Sequence, residues 1–289
     1  MTSPAMTEAM DDAQFNRYAT LLQQRTGIHL PEKRRSFLIS SLNIRMRELG
    51  IENYEDYFHY LITGRRGAVE WEILVDRLTV HETRFYRDET ALDLVREYTH
   101  HWLEQHKDTT EHFELWSVGC ATGEEPYSLA ILLDDLLVNS DSKAYLSITA
   151  TDVSSAALAT GRKGIYPRNR LTNLPAELQS KYLATIDEQQ HVQVVPELQQ
   201  RVCFMRQNLL ELEWTRIGKM NIIFCQNVLI YFQREQRLAI LNQLAEHLKP
   251  GGLLILGAGE ITDWRHPALK SVNQRGTLAY RYMATESEE

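Results

Sequence analysis

The stretch Val118-Gly119-Cys120-Ala121-Thr122-Gly123-Glu124-Glu125-Pro126 follows a strand-like run and opens a helix-like one. Gly119 and Gly123 permit a tight turn and close approach of the backbone to a ligand. The first strand-to-helix turn is also where doubly wound sheets bind nucleotides. The middle glycine of G-x-G-x-x-G is missing, and two acids stand at the helix start. A pyrophosphate seeks the bare positive end of a helix. Glu124 and Glu125 would repel it and would suit a cationic ligand, such as an amino group or a sulfonium. A second strand ends in Ala150-Thr151-Asp152, which puts a carboxylate where ribose hydroxyls can donate to it. A ribose, a cationic group and no phosphate point to S-adenosylmethionine (AdoMet) rather than NAD. Short glycine patterns often match by chance, so on these features alone plain turn glycines beside helix-favouring acids are an equal reading.

The elements that must carry these residues follow from periodicity. From Asp12 to about Val80 the pattern is helical throughout, with Leu38, Leu42, Met46 and Leu49 on one side of a helix over 32–49 and Gly50 as its stop. Further helices fit 54–62 and 68–78. Strands are expected at 114–118, 146–151, 202–205, 220–225 and 253–256, with helices at 124–138, 154–162 and 234–248 between them. That alternation predicts βαβ units and a mostly parallel sheet. The end reads as a hairpin, 269–273 and 278–283 around Gln274-Arg275-Gly276, so an antiparallel edge is expected. Residues 164–201 are too long for a simple connection and read as a small inserted subdomain. The expected domains are a helical module over 1–80 and an α/β domain over 81–289 that carries the insert.

The chain has 289 residues and a net charge of −8. An acidic average argues against a protein that coats nucleic acid. Cys120, Cys203 and Cys225 are odd in number and form no C-x-x-C pair, which disfavours a disulfide framework or zinc knuckle and fits a reducing cytoplasm. The ten histidines include no H-E-x-x-H pattern, so no metal is expected. The N-terminal stretch does not read as a signal peptide. No run of 18 apolar residues is present, so no direct membrane insertion is expected.

Several motifs then occur in one order: His81-Glu82-Thr83-Arg84-Phe85-Tyr86-Arg87, Gly123-Glu124-Glu125-Pro126-Tyr127-Ser128, Asp152, Asn208-Leu209, and Asn227-Val228-Leu229-Ile230-Tyr231-Phe232. In this order and spacing the chain, from about Phe15 to Tyr282, resembles the CheR family of chemotaxis receptor methyltransferases. The resemblance implies an α/β fold with a doubly wound, mostly parallel, Rossmann-like sheet of the class I AdoMet-dependent methyltransferase type. It also implies a small all-α N-terminal domain and an inserted β-subdomain. The implied activity is methyl transfer to glutamate side chains on the cytoplasmic helical bundle of chemoreceptors, with S-adenosylhomocysteine (AdoHcy) as product. Carried over by position, Thr83, Arg87, Glu125, Asp152, Asn208, Leu209 and Asn227 look like cofactor contacts, and Gly119 lies in the same turn. His81 and Gln226 occupy cofactor positions where the family usually has Asn and Arg, and Ala258 stands where it usually has His. Members that tether to a receptor C-terminal pentapeptide carry a glycine-rich turn in the β-subdomain. Residues 185–191 are shorter and lack glycine, so no tether is expected. The His-Glu-Thr-Arg-Phe-Tyr-Arg variant also resembles pilus chemosensory (PilK-like) members.

Arg87 and Tyr231 are the residues this resemblance sets nearest the transferred methyl. Arg87 could hold a substrate carboxylate through paired hydrogen bonds, or it could be a domain-linking ion pair. Tyr231 could wall the methyl, or be a core aromatic. The reaction joins a sulfonium to a carboxylate already ionised near neutral pH, so no general base is needed. Residues 25–47 hold Arg25, Lys33, Arg34, Arg35, Arg45 and Arg47 against Glu32, six cations to one acid, in a module (1–79) that nets −1. Arg34 and Arg45 fall roughly 20° apart on a helix and Lys33 and Arg47 roughly 40° apart. Arg34, Arg35, Arg45 and Arg47 are therefore expected to dock an acidic helical surface, the alternative being a solvated helix face. The expected protein is a cytoplasmic monomeric enzyme with no nucleic-acid partner. A regulatory AdoMet-binding module without turnover, or a methyltransferase of another substrate on this fold, are the alternatives.

Overall fold

The computed structural model describes residues 9–79, 81–187, 190–261, 263–272 and 276–283. By its contacts the chain divides into two compact units, Met1–Val80 with Tyr231–Gln233, and His81–Ile230 with Arg234–Glu289.

Among its described residues the first unit contains four helices, α1 (Asp12–Thr26), α2 (Arg35–Leu49), α3 (Tyr54–Ile62) and α4 (Gly64–Leu78), with a 3-10 turn at Glu32–Arg34. Asp11 and Gln14 cap α1 reciprocally, each side chain accepting from the other's backbone N–H, which satisfies two otherwise orphaned donors. Phe15, Leu22, Leu38, Leu42, Met46, Tyr57, Leu61 and Leu74 form the core. Leu49, expected on that same stripe, is 37% exposed in the last turn of α2.

Arg45 corrects the sequence reading. It is buried rather than presented for docking. Its Nε and Nη2 donate to Glu70 Oε1 and Oε2 at 2.8 and 2.6 Å, it also pairs with Glu48, and Tyr57 OH donates to Glu70 Oε1 at 2.7 Å. The bidentate bond to Glu70 pushes the Arg45 pKa up from its ordinary value. The cause is helical arithmetic. Arg45 lies seven residues after Leu38, about two turns, and so falls on the apolar stripe. Arg34 lies in the preceding turn, out of register with α2. Arg35 is engaged too, by Asp12, Glu32 and the Met10 carbonyl.

The second unit opens with α5 (Glu89–Gln105), which the sequence reading did not include. It continues through β1 (His112–Val118), α6 (Glu124–Val138), β2 (Tyr145–Asp152) and α7 (Ser155–Lys163). The insert follows: β3 (Ile165–Pro167), α8 (Ala176–Tyr182), β4 (Leu183–Asp187), β5 (His191–Val194) and α9 (Pro196–Gln199). The chain then returns as β6 (Val202–Arg206), β7 (Met220–Cys225), α10 (Arg234–Glu246), β8 (Leu248–Leu256), β9 (Leu269–Ser271) and β10 (Leu278–Tyr282).

The main sheet has seven strands in the order β6-β2-β1-β7-β8-β10-β9, and the insert forms a separate three-stranded sheet, β3-β5-β4. The first five strands are mutually parallel, while β10 runs antiparallel to both β8 and β9. The doubly wound sheet with an antiparallel edge is thus borne out; the hairpin turn expected at 274–276 lies partly outside the described residues. Strand β7 is buried along its whole length, as a central parallel strand covered on both faces must be. The order reverses between β1 and β7, which opens a crevice beyond their carboxyl ends.

Candidate active site

The loops that leave β1, β2, β7 and β8 meet at that crevice. Asp152, 9% exposed, ends β2. Its Oδ2 accepts from Ala121 N and its Oδ1 from Ser154 N, both at 2.9 Å. The first bond holds the turn after β1, where Ala121 sits at φ +46°, a conformation that costs a non-glycine residue about 1 kcal/mol or more. Gly119 and Gly123 also have positive φ, and packing leaves neither any choice. A Cβ on Gly119 would lie 2.4 Å from Val228 Cγ2, and one on Gly123 2.7 Å from the Tyr166 hydroxyl. Burial raises the Asp152 carboxyl above its usual range, against the pull of the Ser154 and Ala121 N–H groups and of His81.

Helix α6 begins with two carboxylates. Glu124 is 2% exposed, accepts from the Thr122 hydroxyl at 2.6 Å and lies 3.6 Å from Arg170; burial raises its pKa. Glu125 accepts from Ser117 Oγ at 2.7 Å. Burial, reinforced by Glu260 and Asp88, pushes its pKa to about 8, despite the opposing Ser117 hydrogen bond and the Arg87 charge.

The loops after β7 and β8 are joined by Glu260, which is fully buried. Its Oε1 accepts from Val228 N at 2.6 Å and Leu229 N at 3.0 Å, and its Oε2 from Gly257 N at 2.8 Å. Asn227 precedes this clamp at φ +61°. Gln226 is buried, and its amide nitrogen donates to Asp88 Oδ2 at 3.0 Å. Asp88 in turn caps α5 through Ala91 N at 3.1 Å. In the segment before it, Tyr86 adopts φ +52°, and Arg87, exposed, donates to the Glu82 carbonyl at 2.8 Å.

The donor set fits AdoMet. Glu124, Asp152 and Glu260 are buried and Glu125 is half-buried, and the pKa values of all four carboxyl groups are raised. Glu124 already meets Arg170 and Glu260 three backbone N–H groups, so a ligand bearing a sulfonium and an ammonium would supply counter-charge to Glu125 and Asp152, whereas a pyrophosphate would add to the repulsion. A family model described as "CheR methyltransferase, SAM binding domain" matches residues 81–276, and one described as "CheR methyltransferase, all-alpha domain" matches residues 13–79. The chain belongs to the CheR methyltransferase family. It is similar to the chemotaxis protein methyltransferase of Klebsiella aerogenes, 35% identical over 253 residues, which cover 87% of this chain and 84% of the relative. The corresponding protein of Escherichia coli (strain K12) is 33% identical over 259 residues, 88% of this chain and 87% of the relative. Chemotaxis protein methyltransferase 2 of Pseudomonas aeruginosa is 32% identical over 262 residues, 90% of each chain. As a CheR-family protein the chain is an AdoMet-dependent methyltransferase, and its seven-stranded sheet is of the class I type.

Of the residues singled out from the CheR resemblance, the second unit holds His81, Thr83, Arg87, Gly119, Glu125, Asp152, Asn208, Leu209, Gln226 and Asn227. His81 comes within electrostatic reach of Asp152. Asn208 caps the 3-10 turn that Leu209 opens, its Oδ1 accepting from Leu210 N at 3.1 Å. Tyr231 ends the 3-10 turn after β7 and groups by contacts with the helical unit, where its carbonyl accepts from His29 N at 2.7 Å. Sequence reasoning missed Glu260, although an acid preceded by Gly257 and Gly259, shortly after a buried strand, is a readable signal.

Glu125 has a measurable signature. The folded protein holds its proton to about 8, against an ordinary value of 4.5. The stability it contributes is present in full below the unfolded value and is lost as pH rises through the folded one. Glu125→Gln, neutral throughout, should melt about 10 °C above the parent protein near pH 9, with the gap closing near pH 4.5. A gap independent of pH in thermal scans without cofactor would refute this assignment.

Proposed function

We propose that this chain transfers the methyl group of AdoMet to glutamate side chains on the cytoplasmic helical bundle of chemoreceptors. The products are glutamyl methyl esters and AdoHcy, and the role is sensory adaptation in the cytoplasm. The observation that carries this reading is the CheR-type Gly123–Ser128 and Asn227–Phe232 stretches leaving the carboxyl ends of the neighbouring parallel strands β1 and β7. Bound AdoMet supplies a methyl carbon made electrophilic by its sulfonium. Asp152 would accept from the ribose hydroxyls, and Glu125, giving up its proton to solvent as the cation arrives, would balance the cationic end. His81, Thr83, Asn208, Leu209, Gln226 and Asn227 would line the remainder. Arg87 would hold one oxygen of the acceptor carboxylate and leave the other to attack. The carboxylate oxygen forms the new bond to carbon, the carbon–sulfur bond breaks, and sulfur keeps the electron pair. Alignment and exclusion of water are what the residues contribute.

Radiolabelled AdoMet incubated with receptor-containing membranes should give a labelled protein that releases volatile methanol under mild base. Label without base lability would reject the ester. One observation favours a second reading, a regulatory AdoMet-binding module without turnover. The Gln226 amide nitrogen, at a position where the family usually has Arg, is committed to Asp88. Binding of AdoMet with no label transferred would select it.

For docking, Arg34, half-buried over the Phe37 ring, and the exposed Arg47 are the cations best placed to meet an acidic helix. Arg34→Glu with Arg47→Glu should lower receptor methylation about tenfold at low salt, while AdoHcy affinity in calorimetry stays unchanged. Methylation at the parent rate would remove α2 from the docking surface. Reversal of Arg45 would instead unpair Glu70 and read out as lost stability.

A further inference from the structure

The insert between α7 and β6 touches two parts of the site that lie far from it in sequence. Tyr166, on β3, donates its hydroxyl to the Thr122 carbonyl at 2.8 Å, inside the turn after β1, and its ring meets Phe85 edge-on at 5.1 Å. Arg170 does more. Its guanidinium donates to the Thr83 carbonyl and lies 3.6 Å from Glu124 at the start of α6, while its own carbonyl accepts from Phe85 N at 3.3 Å. Asn173 donates to the Tyr86 carbonyl at 3.3 Å, and Ser128 accepts from Tyr86 N at 3.0 Å. These bonds enclose the residue at φ +52°. A tyrosine keeps a left-handed backbone only where its surroundings over-determine it, and here most of the determining groups come from the insert.

We propose that Arg170 is a positioning residue for methyl transfer: by joining the Thr83 carbonyl to Glu124 it fixes the Thr83–Arg87 segment against the cofactor turn. The insert thereby acts as a brace for the site, whether or not it holds a receptor peptide. The inference rests on the reading of Thr83 and Arg87 as cofactor and acceptor contacts. Arg170 is not among the residues read as contacts of either ligand. A lysine could bridge the same carbonyl and carboxylate with one point charge, whereas a methionine keeps only the stem.

The test uses the full chain in three forms beside the parent: Arg170→Met, Arg170→Lys and Asn173→Ala. Amide hydrogen exchange of Phe85 and Tyr86, measured without cofactor, should accelerate about tenfold in Arg170→Met and less than about threefold in Arg170→Lys, the loss of a charged hydrogen bond. AdoHcy affinity in calorimetry should fall about tenfold in Arg170→Met, with kcat reduced even at saturating AdoMet, and Arg170→Lys should restore both. A merely structural residue would lower the melting temperature and leave kcat at saturation intact. Should Arg170→Met fail to fold, the exposed Asn173→Ala reads the same brace, with about threefold faster exchange at Tyr86 and a matching loss of affinity. Exchange at the parent rate in these variants would overturn the brace itself. Faster exchange with parent-like affinity and kcat would show that the segment is braced but is not the contact surface assumed for it, and the positioning role would fall with that reading.

Discussion

Replacing Asp152 by Ala is expected to lower AdoHcy affinity by about 100-fold to 1,000-fold, the equivalent of roughly 3–4 kcal/mol. Two effects add. In the proposed function the carboxylate at the end of β2 accepts from the ribose, and a charge-assisted bond of that kind contributes about 1.5–3 kcal/mol. The same carboxylate also holds Ala121 N and Ser154 N at 2.9 Å. Its loss frees the turn in which Ala121 is kept at φ +46°, so the binding surface would have to be reordered at each encounter. Asp152→Asn keeps one acceptor oxygen and turns a donor toward one of the two N–H groups. Its affinity should fall between those of Ala and the parent. Calorimetric titration of the three proteins checks the order, and a loss below threefold for Ala would remove Asp152 from the cofactor site.

Glu260→Ala should cost about 3–5 kcal/mol of folding stability, because three backbone N–H groups lose a buried acceptor and each orphaned donor costs about 1–3 kcal/mol. Val228, Leu229 and Gly257 donate to this one side chain, which is 0% exposed, so water cannot readily take its place. Glu260→Gln presents an NH2 group to at least one N–H and should lose roughly half as much. Denaturant titration of the parent and both variants measures this directly. A cost under about 1 kcal/mol for Ala would mean that the loops after β7 and β8 find other partners.

How far the sequence could be read depended on whether a signal was local. Helix α6 and strand β7 begin and end where periodicity put them, at Glu124–Val138 and Met220–Cys225. Each is bounded by a residue of fixed chemistry: Gly123 before α6, and the polar Gln226-Asn227 after β7. Helix α5 was overlooked although Ala91, Leu92, Val95, Thr99, Trp102 and Leu103 repeat at helical spacing behind an Asp88 cap; its charged exposed face, and the absence of a motif within it, left it between two better-marked regions. Glu124, Glu125 and Asp152 were legible because acids at the start of a helix and at the end of a strand have few chemical meanings; Glu260, in a loop, was not. What could not be read was partnership at long range. That Arg45 would meet Glu70, that Gln226 would meet Asp88 138 residues away, and that Arg170 would reach Thr83 all depend on which elements pack together. Pattern along the chain does not encode that packing.

The order of the main sheet also has a consequence for the chain during its synthesis. Strand β1 can pair with β2 soon after both are made, but its other edge belongs to β7. The match of Leu115 with Ile222, like the bond from Glu114 N to Asn221, spans 107 residues. At about 5–20 residues per second, translation needs roughly 5 to 20 seconds to cross that interval. Throughout it the nascent chain carries an apolar strand, with Phe113, Leu115 and Trp116, whose free edge is open to any other strand. The topological reversal that opens a crevice for AdoMet therefore also determines when, on the ribosome, this chain most needs to be kept from its neighbours.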